Sequence, residues 1–387
     1  MVVSKLLSPF RDTQGVALVT ALIALMLLSS LLVAFAVLST SEPTIASNQS
    51  RATQARTLAE SGVEQAIWAL GSPTVNTAAA PYDGSAFVAM GSAGGFFLTI
   101  TNGAGPNEEI VDAVGWYPTY SAAANEKNAR RHVHATLTHV KWLNPPAALT
   151  VEGDVQTKGS AVTISAANDT SCGNKVGAMT SGSITSTGSP TITGGGTALA
   201  TQTNVPTSTM DQYMFTSSDL DMLKSIAKAN GSYFQGAHTF NSSNPWPSSG
   251  VVFIDTVDGA NLTCTAPGPG QTCTPSASDM ASVSISGAGG MPPLNGWLIV
   301  NGSINWSGNA TVNGMVYAVN DITMSGKPNI SGALVSKNLI DTSTSSIDAT
   351  FSGTPTIDFN CANAKTGGGS IPTGWFVKQG SYRELSN

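Results

Sequence analysis

The longest apolar segment of the chain lies near its N-terminus. No charged residue occurs between Val16 and Leu38, and a helix rising about 1.5 Å per residue is there long enough to cross a hydrocarbon core of about 30 Å. Lys5 and Arg11 precede this segment and the next charge is Glu42, so the positive-inside bias predicts a cytoplasmic N-terminus. The segment is too long for a secretory signal and has no small-residue cleavage site after it. We therefore expect a membrane-spanning helix over 16–38.

A second helical pattern follows this segment. Small and apolar residues recur at spacings of three, four and seven, which is typical of one face of an amphipathic helix. They are Ile45, Ala52, Ala55, Ala59, Val63, Ala66, Ile67 and Leu70. Pro43 lies between the two patterns, and proline removes a backbone donor and clashes with the preceding turn. We expect one long helix over 16–72 with a bend or a short break at this proline.

Residues 73–144 predict a small antiparallel sheet. Segments 94–101, 109–118 and 130–142 are strand-like and are separated by turn-rich sequences. In the last segment His132 and His134 are two residues apart, so their side chains lie on one face. Two imidazoles could bind zinc, but the sequence identifies no third ligand. We predict no metal site and a solvated polar face.

Residues 145–365 are rich in glycine, serine, threonine and asparagine and carry an internal repeat. An offset of 18 residues aligns Ile304 with Ile322 and Ile340, Gly308 with Gly326, Val312 with Ile330, and Gly314 with Gly332. An earlier pair of segments aligns Val155 with Ile184. Short apolar strands joined by tight turns cannot close a core alone and must stack. The repeat predicts a parallel β-solenoid, or β-helix, with a ladder of aligned aliphatic residues inside.

A helix is predicted to interrupt these repeats over 218–230. Ser218 is the expected N-cap, Leu220 and Leu223 lie on one face, and Gly231 follows the last turn. The chain then returns as a buried strand at 250–256. After the last repeat, 366–387 begins with a glycine-rich link and is expected to form a final strand or a cap.

Composition and cysteine content narrow the function classes. Of the 387 residues only 10% are charged and the net charge is −6, which argues against a nucleic-acid surface because phosphate binding needs clustered lysine and arginine. All four cysteines follow the apolar segment, and an even number outside the cytoplasm favours disulfides. Of the three possible pairings we favour Cys264 with Cys273, closing a Pro/Gly-rich loop, and Cys172 with Cys361, tying the beginning of the repeats to their end.

Catalytic motifs are absent from the sequence. It contains no G-x-S-x-G elbow, no Walker A loop and no H-E-x-x-H. We expect neither an enzyme nor a bound cofactor. β-Solenoids do include carbohydrate-active proteins, however, and Trp297, Trp306 and Trp375 could stack on sugars if exposed. A membrane-anchored carbohydrate-active β-helix therefore stays open as an alternative.

Two motifs resemble a known family. Gly15 separates a short polar leader from "VALVTALIALMLL", and Thr20 is the fifth residue after it. In the second helical pattern "ARTLAESGVEQA" is similar to a family motif carried here by Ala55, Ala59, Glu60, Ser61, Gly62, Glu64 and Ala66. Together they resemble type IV pilins, and the absence of an acidic residue at Thr20 is similar to PilX-like pilus assembly proteins. Small helix residues also allow neighbouring helices to approach closely.

The resemblance implies an α+β protein: a leader over 1–15, a long N-terminal helix, a small antiparallel pilin-like sheet and a distal β-helical domain. Prepilin peptidase would cut between Gly15 and Val16, and the new N-terminus would be methylated. The implied partners are other pilins, minor pilins and the inner-membrane pilus assembly machinery. The protein would start in the inner membrane with a periplasmic C-terminal part and end at the pilus tip, where it primes assembly and presents an adhesive module. A type II secretion pseudopilin is the other open alternative.

Overall fold

The computed structural model describes residues 14–72, 74–92, 94–105, 107–120, 128–264, 272–274, 276–287, 290–340, 347–371 and 374–385. The predicted leader lies outside the described residues up to residue 13. The described part of the chain divides into two compact units. Unit 1 lies within Met1–Thr101, Glu109–Leu137 and Val377–Asn387, and unit 2 within Asn102–Glu108 and Thr138–Phe376.

The elements are numbered in chain order. The helices are α1 Gln14–Gly71, α2 Thr207–Met210, α3 Ser217–Ala229 and α4 Cys361–Thr366, with short 3-10 turns at Asp211–Tyr213 and Ala277–Asp279. The strands up to the first interruption are β1 Val88–Ala89, β2 Gly95–Asn102, β3 Glu108–Tyr117, β4 Ala129–Val140, β5 Ala147–Val151, β6 Val155–Lys158, β7 Thr163–Ser165, β8 Val176–Thr180, β9 Ile184–Thr187, β10 Thr191–Thr193 and β11 Thr201–Gln202. The later strands are β12 Tyr233–Gln235, β13 Ala237–Phe240, β14 Ser249–Asp255, β15 Thr263–Cys264, β16 Cys273–Thr274, β17 Ala281–Ile285, β18 Leu294–Val300, β19 Gly302–Trp306, β20 Thr311–Ala318, β21 Ile322–Met324, β22 Asn329–Ser336, β23 Ala349–Ser352, β24 Thr356–Phe359, β25 Gly374–Val377 and β26 Arg383–Leu385.

The long helix of unit 1 is continuous. Helix α1 has 58 residues and runs through Pro43 without interruption, so the predicted break is wrong. Proline in a helix removes one backbone hydrogen bond, and the turns on both sides of Pro43 keep their helical conformation. The described residues include one helix long and apolar enough to cross a membrane, and its apolar window is not buried at all.

The sheet of unit 1 follows the chain order. Strands β1, β2, β3 and β4 lie side by side in that order, and β26 pairs with β4. The three predicted strands are confirmed as β2, β3 and β4. Phe96, Leu98, Val111, Ala113 and Val133 alternate toward the helix and are buried, as expected for strands with one covered face.

Unit 2 consists mainly of two parallel sheets whose strands alternate along the chain. One sheet has the order β10-β7-β24-β22-β20-β18-β14-β12; in addition β5 pairs with β22, β8 with β5, and β11 with β8. The other sheet has the order β13-β17-β19-β21-β23-β6-β9. A strand of the first sheet and the next strand of the second are called a layer below. The side chains between the sheets form an apolar core that includes Trp306, Leu298 and Phe351.

The register of the layers confirms most of the predicted repeat. Val312 pairs with Ile330 and Gly314 with Gly332. Ile304 pairs with Ile322, and Val155 pairs with Ile184 at the earlier offset.

The predicted alignment of Ile340 is wrong. Ile322 pairs instead with Ala349, because the connection from β22 to β23 is longer than the one from β20 to β21. Ile340 lies in that connection and packs, partly buried, against a second apolar cluster.

The order of the layers differs from the order of the chain. Strand β22 pairs with β5 and β23 pairs with β6, so the last layer stacks on the first one. The chain therefore forms its first layers at one end, crosses to the other end through α2 and α3, and returns layer by layer. The meeting of β22 and β23 with β5 and β6 is called the seam below.

Helix α3 covers one side of these layers. Its N-cap is Thr216, whose side chain accepts a hydrogen bond from Asp219 while the Asp219 side chain accepts one from the Thr216 backbone. The predicted cap at Ser218 is therefore two residues late, because Thr216 already has the extended backbone that a cap requires. Leu220 and Leu223 pack in one cluster with Phe253.

Candidate functional site

The N-terminal half of α1 presents a fully apolar surface. Gly15 and Val16, the predicted cleavage site, lie in its first turn. The large apolar side chains from Leu18 to Leu38 are exposed; the exposed fraction is 66% for Leu18 and 57% for Leu38. The hydroxyl of Thr20 donates to the carbonyl of Ala17 at 3.0 Å, so it needs no outside partner for that proton. Such a surface is suited to lipid or to the helices of other subunits, and not to water.

The C-terminal half of α1 lies on the sheet of its own unit. Ala55, Ala59 and Ala66 are fully buried. A Cβ added to Gly62 would lie 3.0 Å from Ala113 and 3.1 Å from Phe96, and a Cβ on Gly115 of β3 would overlap the backbone of Ala55 and Ala59. The small residues of the helix motif therefore allow a strand to approach closely, where the sequence suggested the approach of other helices.

The buried face of α1 starts later than its periodicity indicates. Ile45 is 55% exposed, although its spacing places it on the predicted apolar face. The sheet covers the helix only from about Ala55 onward, so Ile45 has no strand opposite it. Its exposed side chain extends the apolar surface of the first half of the helix beyond Pro43.

Glu60 of the helix motif belongs to a polar group that the sequence did not reveal. Its Oε1 accepts from Arg56 at 3.0 Å and from the hydroxyl of Tyr382 at 2.7 Å. The neighbouring β26 pairs antiparallel with β4, and Arg131 lies 3.3 Å from Glu384. The C-terminal segment is thus a structural part of unit 1. No local pattern indicates that pairing, because the two strands are far apart in sequence.

A shallow polar groove of about 360 Å³ lies beside this group. It is lined by Gln49, Ala52, Thr53, Arg56, Arg131 and Glu384. The two arginines at its edges are paired with glutamates, and the groove is open to solvent. It is a feature of the helix-to-sheet boundary and has no arrangement of nucleophile and base.

The two histidines predicted to share a face do so. His132 Nε2 lies 2.8 Å and His134 Nδ1 lies 2.9 Å from the same Oδ1 of Asp112 on β3. All three side chains are partly exposed. Within the described ranges, no group of three or more histidine, cysteine or acidic side chains is placed to hold a metal ion. The cluster is a polar surface network between neighbouring strands.

The four cysteines form two disulfides. Cys264 and Cys273 face each other across the β15–β16 pair, and Cys172 is joined to Cys361 with their Cα atoms 5.7 Å apart. These are the two pairs that the sequence favours. The second bond joins the loop after β7 to the first residue of α4, directly after β24, and β7 and β24 are neighbours in one sheet. It therefore links the first part of the repeats covalently to their end, beside the seam.

Two of the three tryptophans considered as sugar platforms are buried. Trp297 and Trp306 have no exposed surface, and the indole of Trp297 donates to the carbonyl of Ala364 at 3.0 Å. They are core residues, and a sugar cannot stack on them. Trp375 is partly exposed and lies against the ring of His139, with 5.3 Å between ring centroids.

Glu152 is a buried acid at the seam. It follows β5, and its backbone N–H donates to Ser336 of β22 at 2.9 Å. Burial raises the pKa of Glu152 to about 7, Asp211 adds to the increase and Lys337 opposes it. The sequence pattern gave no sign of this residue, since an isolated glutamate between short strands is usually exposed.

Comparison with known proteins adds little to this picture. No family model and no curated protein matches the chain. Among solved structures, the crystal structure of the competence-associated pilin ComZ from Thermus thermophilus is similar at 12% identity, over 86% of this chain and 97% of that chain, with a TM-score of 0.25. At that TM-score the likeness supports neither a fold nor a function, and the functional argument rests on the chain itself.

Proposed function

We propose that the protein is a type IV pilin-like subunit, specifically a PilX-like minor pilin. Prepilin peptidase cleaves it after Gly15 and the exposed N-terminal half of α1 joins it to other pilins. The stacked layers of unit 2 form a parallel β-solenoid that the subunit carries at or near the pilus tip. There it primes assembly and presents an adhesive surface. We propose no catalytic activity and no cofactor.

The observation that carries this proposal is the division of α1 into two parts. One continuous helix of 58 residues is exposed and apolar in its first half and buried on a sheet through small residues in its second half. An anchor alone needs only the first part. A helix that is also built into a folded unit transmits the position of that unit, which is what assembly into a filament requires.

The route of the protein follows from the same segment. Lys5 and Arg11 before the apolar run support a start in the inner membrane with units 1 and 2 in the periplasm. The disulfides of unit 2 suit that oxidising side. Close packing of this apolar helix against the helices of neighbouring subunits replaces its contacts with lipid and holds the subunit in the filament.

Two alternatives differ from this proposal in what they predict. A type II secretion pseudopilin would share α1 but would be absent from sheared surface filaments. A membrane-anchored carbohydrate-active protein would keep its leader and turn over a polysaccharide. The burial of Trp297 and Trp306 removes two of the aromatic platforms that favoured this last alternative.

The deciding experiment determines the N-terminal residue of the protein by mass spectrometry. Membranes are isolated from cells with and without active prepilin peptidase. The proposal predicts a chain that begins at N-methylated Val16 and depends on the peptidase. Gly15→Leu should block processing, whereas Gly71→Ala, at a glycine with open space around its Cα, should not. An intact leader in cells with active peptidase, or a cut beyond Leu38, contradicts the proposal. Mass spectrometry of sheared filaments then separates pilus from secretion system.

A further inference from the structure

A lysine on α3 is buried beside an aspartate of the layers. The Nζ of Lys224 lies 2.8 Å from Oδ2 of Asp255, and the side chains are 8% and 0% exposed. Lys224 also donates to the carbonyl of Gly259 at 2.8 Å. The other acid close to it is Asp221, at 3.6 Å and largely exposed.

The second carboxylate oxygen of Asp255, Oδ1, accepts a hydrogen bond from a side-chain amide. The Nδ2 of Asn301, between β18 and β19, donates to Oδ1 of Asp255 at 2.8 Å. The Asn301 Nδ2 and the Lys224 Nζ also share Oδ1 of Asn261, at 3.3 and 3.2 Å. The amine and the amide therefore share two acceptor groups, the Asp255 carboxylate and the Asn261 side-chain oxygen.

The charged and amide groups at the centre of this contact are buried. Asp255 and Asn301 are fully buried, the Lys224 amine lies 5.8 Å from the centre of the Phe253 ring, and the Tyr233 hydroxyl donates to Asp255 at 3.0 Å. Within the described part of the chain, Oδ1 of Asn301 has no hydrogen-bond partner. A buried ion pair must overcome the desolvation of both charges, so a reaction that removes both charges is favoured here.

We propose that Lys224 and Asn301 are joined by an intramolecular isopeptide bond, formed with Asp255 as the proton carrier. Lys224 gives a proton to Oδ2 of Asp255, and the neutral amine attacks Cγ of Asn301. A second proton passes from Nζ through the Asp255 carboxyl to Nδ2, the Cγ–Nδ2 bond breaks and ammonia leaves. The products are a secondary amide, free ammonia and a neutral Asp255. No oxidant, reductant or cofactor takes part, and the two buried charges disappear.

The bond would clamp α3 to the layers. Lys224 lies on the helix that the chain uses to cross between the two ends of unit 2, and Asn301 lies in the turn between two strands. A covalent bond there restricts the unfolded chain in the same way as a disulfide, but it cannot be reduced. This inference rests on unit 2 alone and does not depend on the proposed function.

The test is peptide mass spectrometry of the full-length protein, extracted from membranes, reduced and digested. We expect a branched peptide joining the Lys224 and Asn301 segments, with a mass lower by one ammonia than the sum of the linear peptides. Two separate, unmodified linear peptides would overturn the proposal. A loss of water joining Lys224 to Asp255 would overturn the assignment of Asn301.

Variants locate the chemistry. Lys224→Met and Asn301→Leu should each abolish the branched peptide, and Asp255→Asn should abolish it while both reacting side chains remain. Lys228→Met is the matched control, because Lys228 is an exposed lysine on the same helix and its loss should leave the branched peptide intact. The wild-type digest decides the question even if a buried variant fails to fold.

Discussion

Both units bring backbones into direct contact through glycine, but at different kinds of interface. In unit 1, Gly115 of a strand meets the backbone of α1 at Ala55 and Ala59. In unit 2, Gly314 lies between Gly296 of the layer before and Gly332 of the layer after, and a Cβ on Gly314 would overlap the carbonyl of Gly296. The helix in unit 1 can shift as a body, whereas a layer in unit 2 is held by hydrogen bonds on both sides. The same residue type is therefore more costly to replace in unit 2.

The two units also differ in whether their charged side chains are exposed or buried. The polar groups identified in unit 1, such as Glu60 with Tyr382 and Asp112 with two histidines, lie at or near the surface. Unit 2 buries Glu152, Asp255 and Lys224 between or beside its layers. A stacked architecture places every turn against another turn, so a charged residue in a turn can become enclosed. We expect the stability of unit 2 to depend more strongly on charge.

The largest effect is expected from Gly314→Ala. The added methyl group meets the carbonyl of Gly296 in β18, a strand that lies paired between β14 and β20, so unit 2 should lose more than about 3 kcal/mol of unfolding free energy. Hydrogen exchange with mass spectrometry on the full chain locates the loss. Gly287→Ala is the control in the same unit, because the nearest atoms would lie 3.8 Å from the added methyl group. Equal effects of the two substitutions would contradict the role of the glycine contact.

The next effect concerns Glu152. Its pKa is about 7 in the folded protein, raised by burial from an ordinary value of 4.5, so the folded state favours the protonated acid. The contribution is fully present below about pH 4.5 and is lost as the pH rises through 7, by up to about 3 kcal/mol. Glu152→Gln should flatten this dependence, matching the wild type in acid and exceeding it above pH 7. Denaturant titrations between pH 4 and 8 measure it, and parallel curves for the two proteins would contradict it.

In unit 1, Gly115→Ala should cost about 2 kcal/mol. The methyl group pushes α1 away from β3, and the helix can relieve part of the overlap by moving. Protease sensitivity of the helix-to-sheet contact and the unfolding temperature of unit 1 report the change. Gly71→Ala, with open space around it, should leave both unaltered. A loss as large as that for Gly314→Ala would show that the helix is held as firmly as a layer.

The smallest effect is expected from Glu384→Ala. The variant removes an ion pair with Arg131 whose side chains are 45% and 33% exposed, and such pairs contribute less than about 1 kcal/mol. The change in unfolding free energy should also shrink at high salt. A loss well above this value would mean that β26 depends on Glu384 for its place beside β4.

Much of the local structure could be predicted because it is encoded in short patterns. The apolar run of α1, the three strands of unit 1 and the 18-residue register between Ile304 and Ile322 each follow from residues near one another in the chain. The errors also occurred locally. The turns around Pro43 continue as helix, and Thr216 caps α3 ahead of Ser218 because its backbone is already extended there.

The candidate site was predicted unevenly. The small residues Ala55, Ala59 and Ala66 were found by their spacing, but their partner, Gly115, was not, because a glycine in a strand does not indicate what approaches it. The disulfide pairs follow from the order of the cysteines and the expected stacking. Glu152, Lys224 and Asp255 could not be identified as buried, since their enclosure comes from strands and loops distant in sequence.

The sequence by itself determined the apolar helix, its small-residue face, the strands and the repeat that makes layers stack. Only the tertiary structure decided that β22 stacks on β5, that β26 returns to β4, and which charges are enclosed. The physical reason is that parallel strands with the same alternating pattern can pair with any similar strand. The choice among those partners depends on connection lengths, on α3 and on the Cys172–Cys361 bond, which act only when distant segments meet.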